Sequence, residues 1–450
     1  MNYFEQHQRE YLDQLKAFLR IPSISTLSEH KPDIRKAAEF VRADLERSGL
    51  HNAHLIEGEG NPLVYAEWLG APGKPTLLMY GHYDVQPPDP LDEWKSPPFD
   101  PEERDGNLYA RGACDDKGQT FILMKAVGGL LAQHGKLPVN VKFLVEGEEE
   151  VGGEHIEAFV ASKPDLLKAD AAVICDTEMF APELPTLSVG LRGMVYGEIT
   201  VQGADHDLHS GVYGGAAPNP LMAMAEILTK LKAPDGRILI PGFYDKVLAP
   251  TEKEREAWDR LPFNEADYKK EVGVAELVGE PGIPLFERLW ARPTFEVHGI
   301  RGGFIGEGAK TVIPARAVAK VSTRLVPDQN PTEAAEQIRA AVLAACPKGV
   351  TVDFKAIHSA PASVVNTNNR YIEAAAEAMQ QVFGPATVYV RCGGSIPIVG
   401  LFDEHLGIPS VMMGFGLPDD NLHAPNEKFC IANLHRGMES VAKYLEILGN

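Results

Sequence analysis

From Thr76 to Cys175 apolar, strand-like runs alternate with helical periodicity, and each run ends on a histidine or a carboxylate. The run at 76–81 leads to His82 and Asp84. The run at 139–146 leads to Glu148, Glu149 and Glu150, and that at 171–175 leads to Asp176. Helical periods at 118–134 and 154–162 separate the strands. Such alternation is the mark of βαβ units and a parallel sheet. In an open α/β sheet, ligands bind outside the carboxyl ends of the strands, so side chains far apart in sequence can meet there.

The alternation breaks near Leu187. The segment 194–201 alternates as a half-buried strand, and Asn219-Pro220 opens a helix to Lys232, with Asn as cap and Pro at its first position. A charged, loop-rich stretch follows at 241–289. Then come strands near 294–297 and 317–325, a helix at 331–345 and a strand at 350–357. That order, β-α-β-β-α-β, predicts a ferredoxin-like α+β unit. Helix and strand alternate again from Asn369 to the final helix at 431–448. The expected fold is therefore α/β, a mostly parallel sheet flanked by helices, with an inserted ferredoxin-like α+β domain. The expected boundaries are 1–187, 188–362 and 363–450.

A net charge of −20 over 450 residues argues against a nucleic-acid surface and against docking on anionic lipid. No run approaches the ~20 apolar residues that span a bilayer, and the first residues lack a secretory pattern. Five cysteines, at 114, 175, 346, 392 and 430, have no framework spacing. A reduced, cytoplasmic protein is expected.

Two imidazoles and several carboxylates near strand ends suit a two-metal hydrolytic centre. Each motif has a plainer reading on its own. His82 can be a satisfied surface or core histidine, whereas as a metal ligand it would have Asp84, two positions on, as its orienting group. Asp115-Asp116-Lys117-Gly118 can simply cap a helix. The acidic run from Glu146 to Glu150 can be a solvated loop, although it follows a buried-type strand where its self-repulsion needs compensation. Asp176 and His423 are individually weak. Strand alternation turns Cys114 and Cys175 away from their acidic neighbours, which makes them packing groups. An N/O donor set suits Zn²⁺, Mn²⁺ or Co²⁺.

The strings Gly81-His82-Tyr83-Asp84, Arg111-Gly112-Ala113-Cys114-Asp115-Asp116-Lys117-Gly118, Glu148-Glu149-Glu150-Val151-Gly152, Asp207-Leu208-His209-Ser210-Gly211 and Gly393-Gly394-Ser395-Ile396-Pro397 resemble the M20 family of metallopeptidases. Within it the chain is most similar to the cytosolic nonspecific and carnosine-type dipeptidases. The resemblance implies that Asp115 bridges two cations, with a cis peptide to Asp116. One cation would also take His82 and Asp176, and the other Glu150 and His423. Glu149 would be the general base, and Asp84 would orient His82. His209 of the other subunit in a homodimer would polarise the scissile carbonyl. Thr311, Arg324, His358, Gly394 and Ser395 would bind substrate, with Arg324 on its terminal carboxylate. Cys392 departs from the pattern, since that branch often carries an acid there, suited to a free amino group.

The function expected from these residues is metal-dependent hydrolysis of dipeptides or short peptides. An N-acyl-amino-acid deacylase with the same centre is the alternative, which Cys392 leaves open. A catalytically silent scaffold would not need every ligand and the base. A two-metal phosphoesterase would need a Lys/Arg cluster that these motifs lack.

Overall fold

A computed structural model of the chain describes residues 3–394 and 396–450. The chain divides into two compact units. The first comprises Met1–Val189, Val365–Val390 and Leu401–Asn450, and the second Gly190–Val364 with Arg391–Gly400. The short piece Arg391–Gly400, which the sequence pattern groups with 363–450, thus belongs to the second unit.

The sheet of the first unit runs in the order His51–Ile56, Leu63–Trp68, Asn140–Glu146, Thr76–His82, Ala171–Ile174, Ser410–Gly414, Thr186–Leu191, the last strand crossing the unit boundary. Its four central strands, from Asn140–Glu146 to Ser410–Gly414, are parallel. The flanking pairs are antiparallel, so the expectation of a mostly parallel sheet is corrected to a mixed one. The reason lies in the connections. Only a long crossover can return a strand in parallel, whereas His51–Ile56 and Leu63–Trp68 are joined by a short turn.

The central strands are apolar because both of their faces are covered. All seven residues of Asn140–Glu146 are buried, Lys142 included, and its ammonium donates to the carbonyls of Leu166 and Lys168 at 2.6 and 2.8 Å. The helix Arg370–Phe383 packs on Ile431–Gly449, which packs in turn on Lys117–His134. Phe121, Met124, Met379, Val441 and Leu445 are buried there, each worth roughly 1.5–3 kcal/mol by area. This rigid layer holds the strand ends that carry the site.

The second unit has a four-stranded antiparallel sheet in the order Thr294–Gly302, Arg316–Leu325, Gly193–Gln202, Thr351–Ala360. With the helices Pro220–Leu231 and Pro331–Ala344 this makes the β-α-β-β-α-β order. Val195, Ile199 and Val201 point alternately into a core with Met224, Ile227, Ile338 and Val342. The other face carries Met194, Tyr196 and Arg324. Asn219 and Asn330 cap the two helices through their side-chain oxygens. The stretch at 241–289, read as loop-rich, contains the short helices Glu252–Asp259, Glu265–Val272 and Leu285–Trp290. The first two are mostly exposed, so apolar periodicity does not betray them. The Thr251/Glu254 capping box was the available signal.

Among the described residues no helix is long and apolar enough to cross a membrane. No disulfide joins the five cysteines, and Cys114 and Cys175 are buried.

Candidate metal centre

His82 is the last residue of its strand and is completely buried. Its backbone N–H donates to Asp116 Oδ2 at 3.1 Å, and Thr120 Oγ1 donates to the same oxygen at 2.6 Å. Gly81 permits this approach, because a Cβ there would stand 1.9 Å from Thr120 Oγ1. Nδ1 of His82 lies 3.3 Å from Asp84 Oδ1 and 3.1 Å from the Asp84 carbonyl. Asp84, also wholly buried, accepts from the backbone N–H of Glu150 at 3.2 Å.

On the other side of the ring, Nε2 of His82 is 3.2 Å from Asp115 Oδ1. That nitrogen is buried without a hydrogen-bond partner. The Asp115–Asp116 peptide is cis. His423 Nε2 lies 2.9 Å from Asp115 Oδ2 and 3.4 Å from Glu150 Oε2, and Gln86 Nε2 donates to Glu150 Oε2 at 2.7 Å. Two triads follow, His82–Asp115–Asp176 and Asp115–Glu150–His423, each with donor atoms within 4.8 Å of one another. They share Asp115.

The electrostatics fit a pair of cations. Burial pushes Asp176 well above the ordinary carboxylate range, and Asp116, Asp115 and Glu150 push the same way against His82. Glu149 is likewise raised by burial and by Asp176, Glu150 and Asp115, with His82 opposing. Burial also raises Glu150, and Asp115 adds to it. Burial would raise Asp115, but it is lowered instead, because the imidazoles of His423 and His82 beside it favour its charged form. His423, held by Asp115 and then Glu150, is pushed up to about 10. Such a crowd of buried carboxylates repels itself, and divalent ions would neutralise it. The orphaned imidazole nitrogen and the N/O donor set fit Zn²⁺, Mn²⁺ or Co²⁺ alike.

The remaining candidates lie in the second unit and form groups of their own. His209 is exposed, and its Nδ1 accepts from the Gly211 N–H at 3.0 Å. It pairs with Val312, next to exposed Thr311, whose carbonyl accepts from Ser210 N at 3.1 Å. Arg324 stands opposite Met194, and His358 opposite Tyr196. The Gly394 N–H donates to Cys392 Sγ at 3.3 Å. Ser395 lies outside the described residues. Sequence reasoning missed Arg192, which grips the glycine turn twice. Its Nε donates to the Gly393 carbonyl at 2.9 Å and its backbone N–H to the Gly394 carbonyl at 3.1 Å. Burial, and next the nearby Arg324, lower its pKa to about 10. Two guanidiniums brought together favour an anion between them. The signal was the Leu191-Arg192-Gly193 break between two strands. Gln86 was missed as well, two residues beyond Asp84.

The sequence pattern of peptidase family M20/M25/M40 matches residues 78–447. A Cys-Gly metallodipeptidase of Schizosaccharomyces pombe is 31% identical over 98% of this chain and 96% of its own length. Human carnosine dipeptidase 1 has a TM-score of 0.89 at 30% identity, covering 99% of this chain and 97% of its own. An M20 family metallo-carboxypeptidase from Sulfolobus solfataricus has a TM-score of 0.88 at 33% identity, covering 98% and 99%.

Proposed function

This chain belongs to the M20/M25/M40 peptidase family, and from that premise we propose that it is a two-cation dipeptidase acting on dipeptides and short peptides. The observation that carries the reading is the pair of triads meeting on Asp115. When bound, the two cations supply Lewis-acid polarisation of a carbonyl and lower the pKa of water towards ~7. The protein's own residues do the rest. Glu149, beside both triads, takes a proton from the attacking water and passes it to the leaving amine. Asp84 accepts from the Nδ1–H of His82 through its carbonyl, with its carboxylate 3.3 Å away, and so fixes that ring's tautomer, leaving Nε2 available as a ligand. Arg324, with its planar fork, holds the substrate's terminal carboxylate, and Gly394 and Ser395 also bind the substrate. Thr311 and His358 complete the substrate contacts. Residues 188–362 act as a lid and dimerisation domain, and His209 of one subunit serves the centre of the other.

The names of two similar proteins, a Cys-Gly dipeptidase and a carnosine dipeptidase, support the dipeptide as substrate. The metallo-carboxypeptidase at 33% identity favours a second reading, removal of single residues from longer peptides. Both use a terminal carboxylate. The deciding experiment loads the protein with Zn²⁺, Mn²⁺ or Co²⁺ and compares Cys-Gly, β-Ala-His, Ala-Ala, a tetrapeptide and N-acetylated amino acids, with and without chelator. Dipeptides are expected to turn over fastest, and only with metal. Preferred cleavage of N-acetylated amino acids would make the protein a deacylase, in line with Cys392. Full dipeptide turnover in chelator would overturn the reading altogether.

A further inference from the structure

Glu427 was no candidate for any role, yet it is a completely buried carboxylate whose two oxygens accept four hydrogen bonds. Oε2 accepts from Arg111 Nη1 at 2.8 Å and from the Gly112 N–H at 2.8 Å. Oε1 accepts from the Cys114 N–H at 2.9 Å and the Asp115 N–H at 3.1 Å. A buried carboxylate is costly unless paired and hydrogen-bonded. Here it is both, and three of its four donors are main-chain N–H groups of the loop that ends on Asp115.

The segment around Glu427 is equally constrained. Asn421, His423 and Asn426 all have left-handed backbones, with φ of 55, 60 and 63°. Asn adopts this region readily, but His423 holds it only where its surroundings impose it. Asp420 and Lys428 close the base of this loop, backbone to backbone at 3.0 Å and side chain to side chain at 2.9 Å. Asn426 accepts from the Lys95 N–H at 2.9 Å and donates to the Glu93 carbonyl at 2.8 Å.

We propose that Glu427 is a positioning residue that sets the second triad, tying the Asp115 loop to the strained loop that carries His423. This rests on the two-cation reading above. The first triad depends on Glu427 through Asp115 alone, since His82 and Asp176 come from strand ends. The second depends on it through both Asp115 and His423. The two cations therefore feel its loss unequally.

The test is a titration of the full-length, metal-stripped protein with Co²⁺ or Zn²⁺, resolving two dissociation constants. In Glu427→Gln one of the two acceptors becomes an NH₂ group facing donors, so half the clamp is lost. The second dissociation constant is expected to rise about 10–100-fold, the range for outer partners of ligands, while the first changes by less. The Co²⁺ absorbance of the second site should alter, and kcat should recover in excess metal. A purely structural role would lower the melting temperature and leave the ratio of the two constants alone, which overturns the proposal. Asn426→Gly covers the case in which Glu427→Gln does not fold. It removes only the two exposed hydrogen bonds while keeping a residue that tolerates positive φ, and a smaller rise confined to the second constant is expected. No rise there also overturns the proposal. Wild-type protein that takes up fewer than two cations would instead defeat the two-cation reading.

Discussion

The two triads share one carboxylate and differ in everything else. His82 and Asp176 sit at or just past the ends of neighbouring parallel strands, packed beneath helices, and the His82 side chain is 0% exposed. His423 sits in a loop, with 55% of its side chain exposed and a left-handed backbone. The sheet therefore positions the first set of candidate ligands through its own geometry, whereas hydrogen bonds from Glu427 and Asn426 tie the loops of the second. Rigid elements fix ligands more closely than loops do, and loops must be tied.

Removing the shared member is the largest test of this contrast. Asp115→Asn should release both cations and lower kcat/KM by about 10⁴ or more, a few kcal/mol of lost polarisation at each ion. Metal analysis showing one ion retained would mean that the triads are not joined. Glu149→Gln separates chemistry from binding. Both dissociation constants should stay as in wild type while kcat falls by about 10²–10⁴; surviving turnover would remove Glu149 from the role of base.

The histidines should behave differently in the metal-free protein. His82→Ala strips a partner from the buried Asp84 and should cost about 3–5 kcal/mol in chemical denaturation. His423→Ala, at a half-exposed pair, should cost about 1 kcal/mol or less. Equal losses would erase the distinction between a sheet-borne and a loop-borne ligand. The smallest effect is on protons. The folded pKa of His423 is raised, so its bonds to Asp115 and Glu150 stabilise the metal-free protein fully below the ordinary value near ~6.5 and fade as pH rises through about 10. A cation displaces that proton. Calorimetry in buffers of different ionisation enthalpy should therefore register the release of about one proton or more near pH 7, with the His423 share vanishing above about 10.

Much of the centre was readable in the sequence because strand ends announce themselves. An apolar run of fixed length that stops at His82 or just before Asp176 places those side chains at one edge of the sheet. Glu427 gave no such notice. It follows Asn426 in a polar loop and looks like any surface acid, and only the approach of Gly112–Asp115, more than three hundred positions away, makes it buried. Arg192 was hidden for the same reason, since its partners Gly393 and Gly394 are brought to it by folding. The short helices between 241 and 289 escaped because they bury few residues, and periodicity reports burial rather than helix.

The chain's pattern of apolar runs determined the strands, the helical layers, the ferredoxin-like order of the second unit and the polar groups at the strand ends. These are local matters, settled by period and by turn chemistry within a few residues. The tertiary structure decided which strands run antiparallel, that Arg391–Gly400 joins the second unit, and how His423 comes within 2.9 Å of Asp115. Those outcomes depend on contacts between distant segments, whose energies no single stretch of sequence contains.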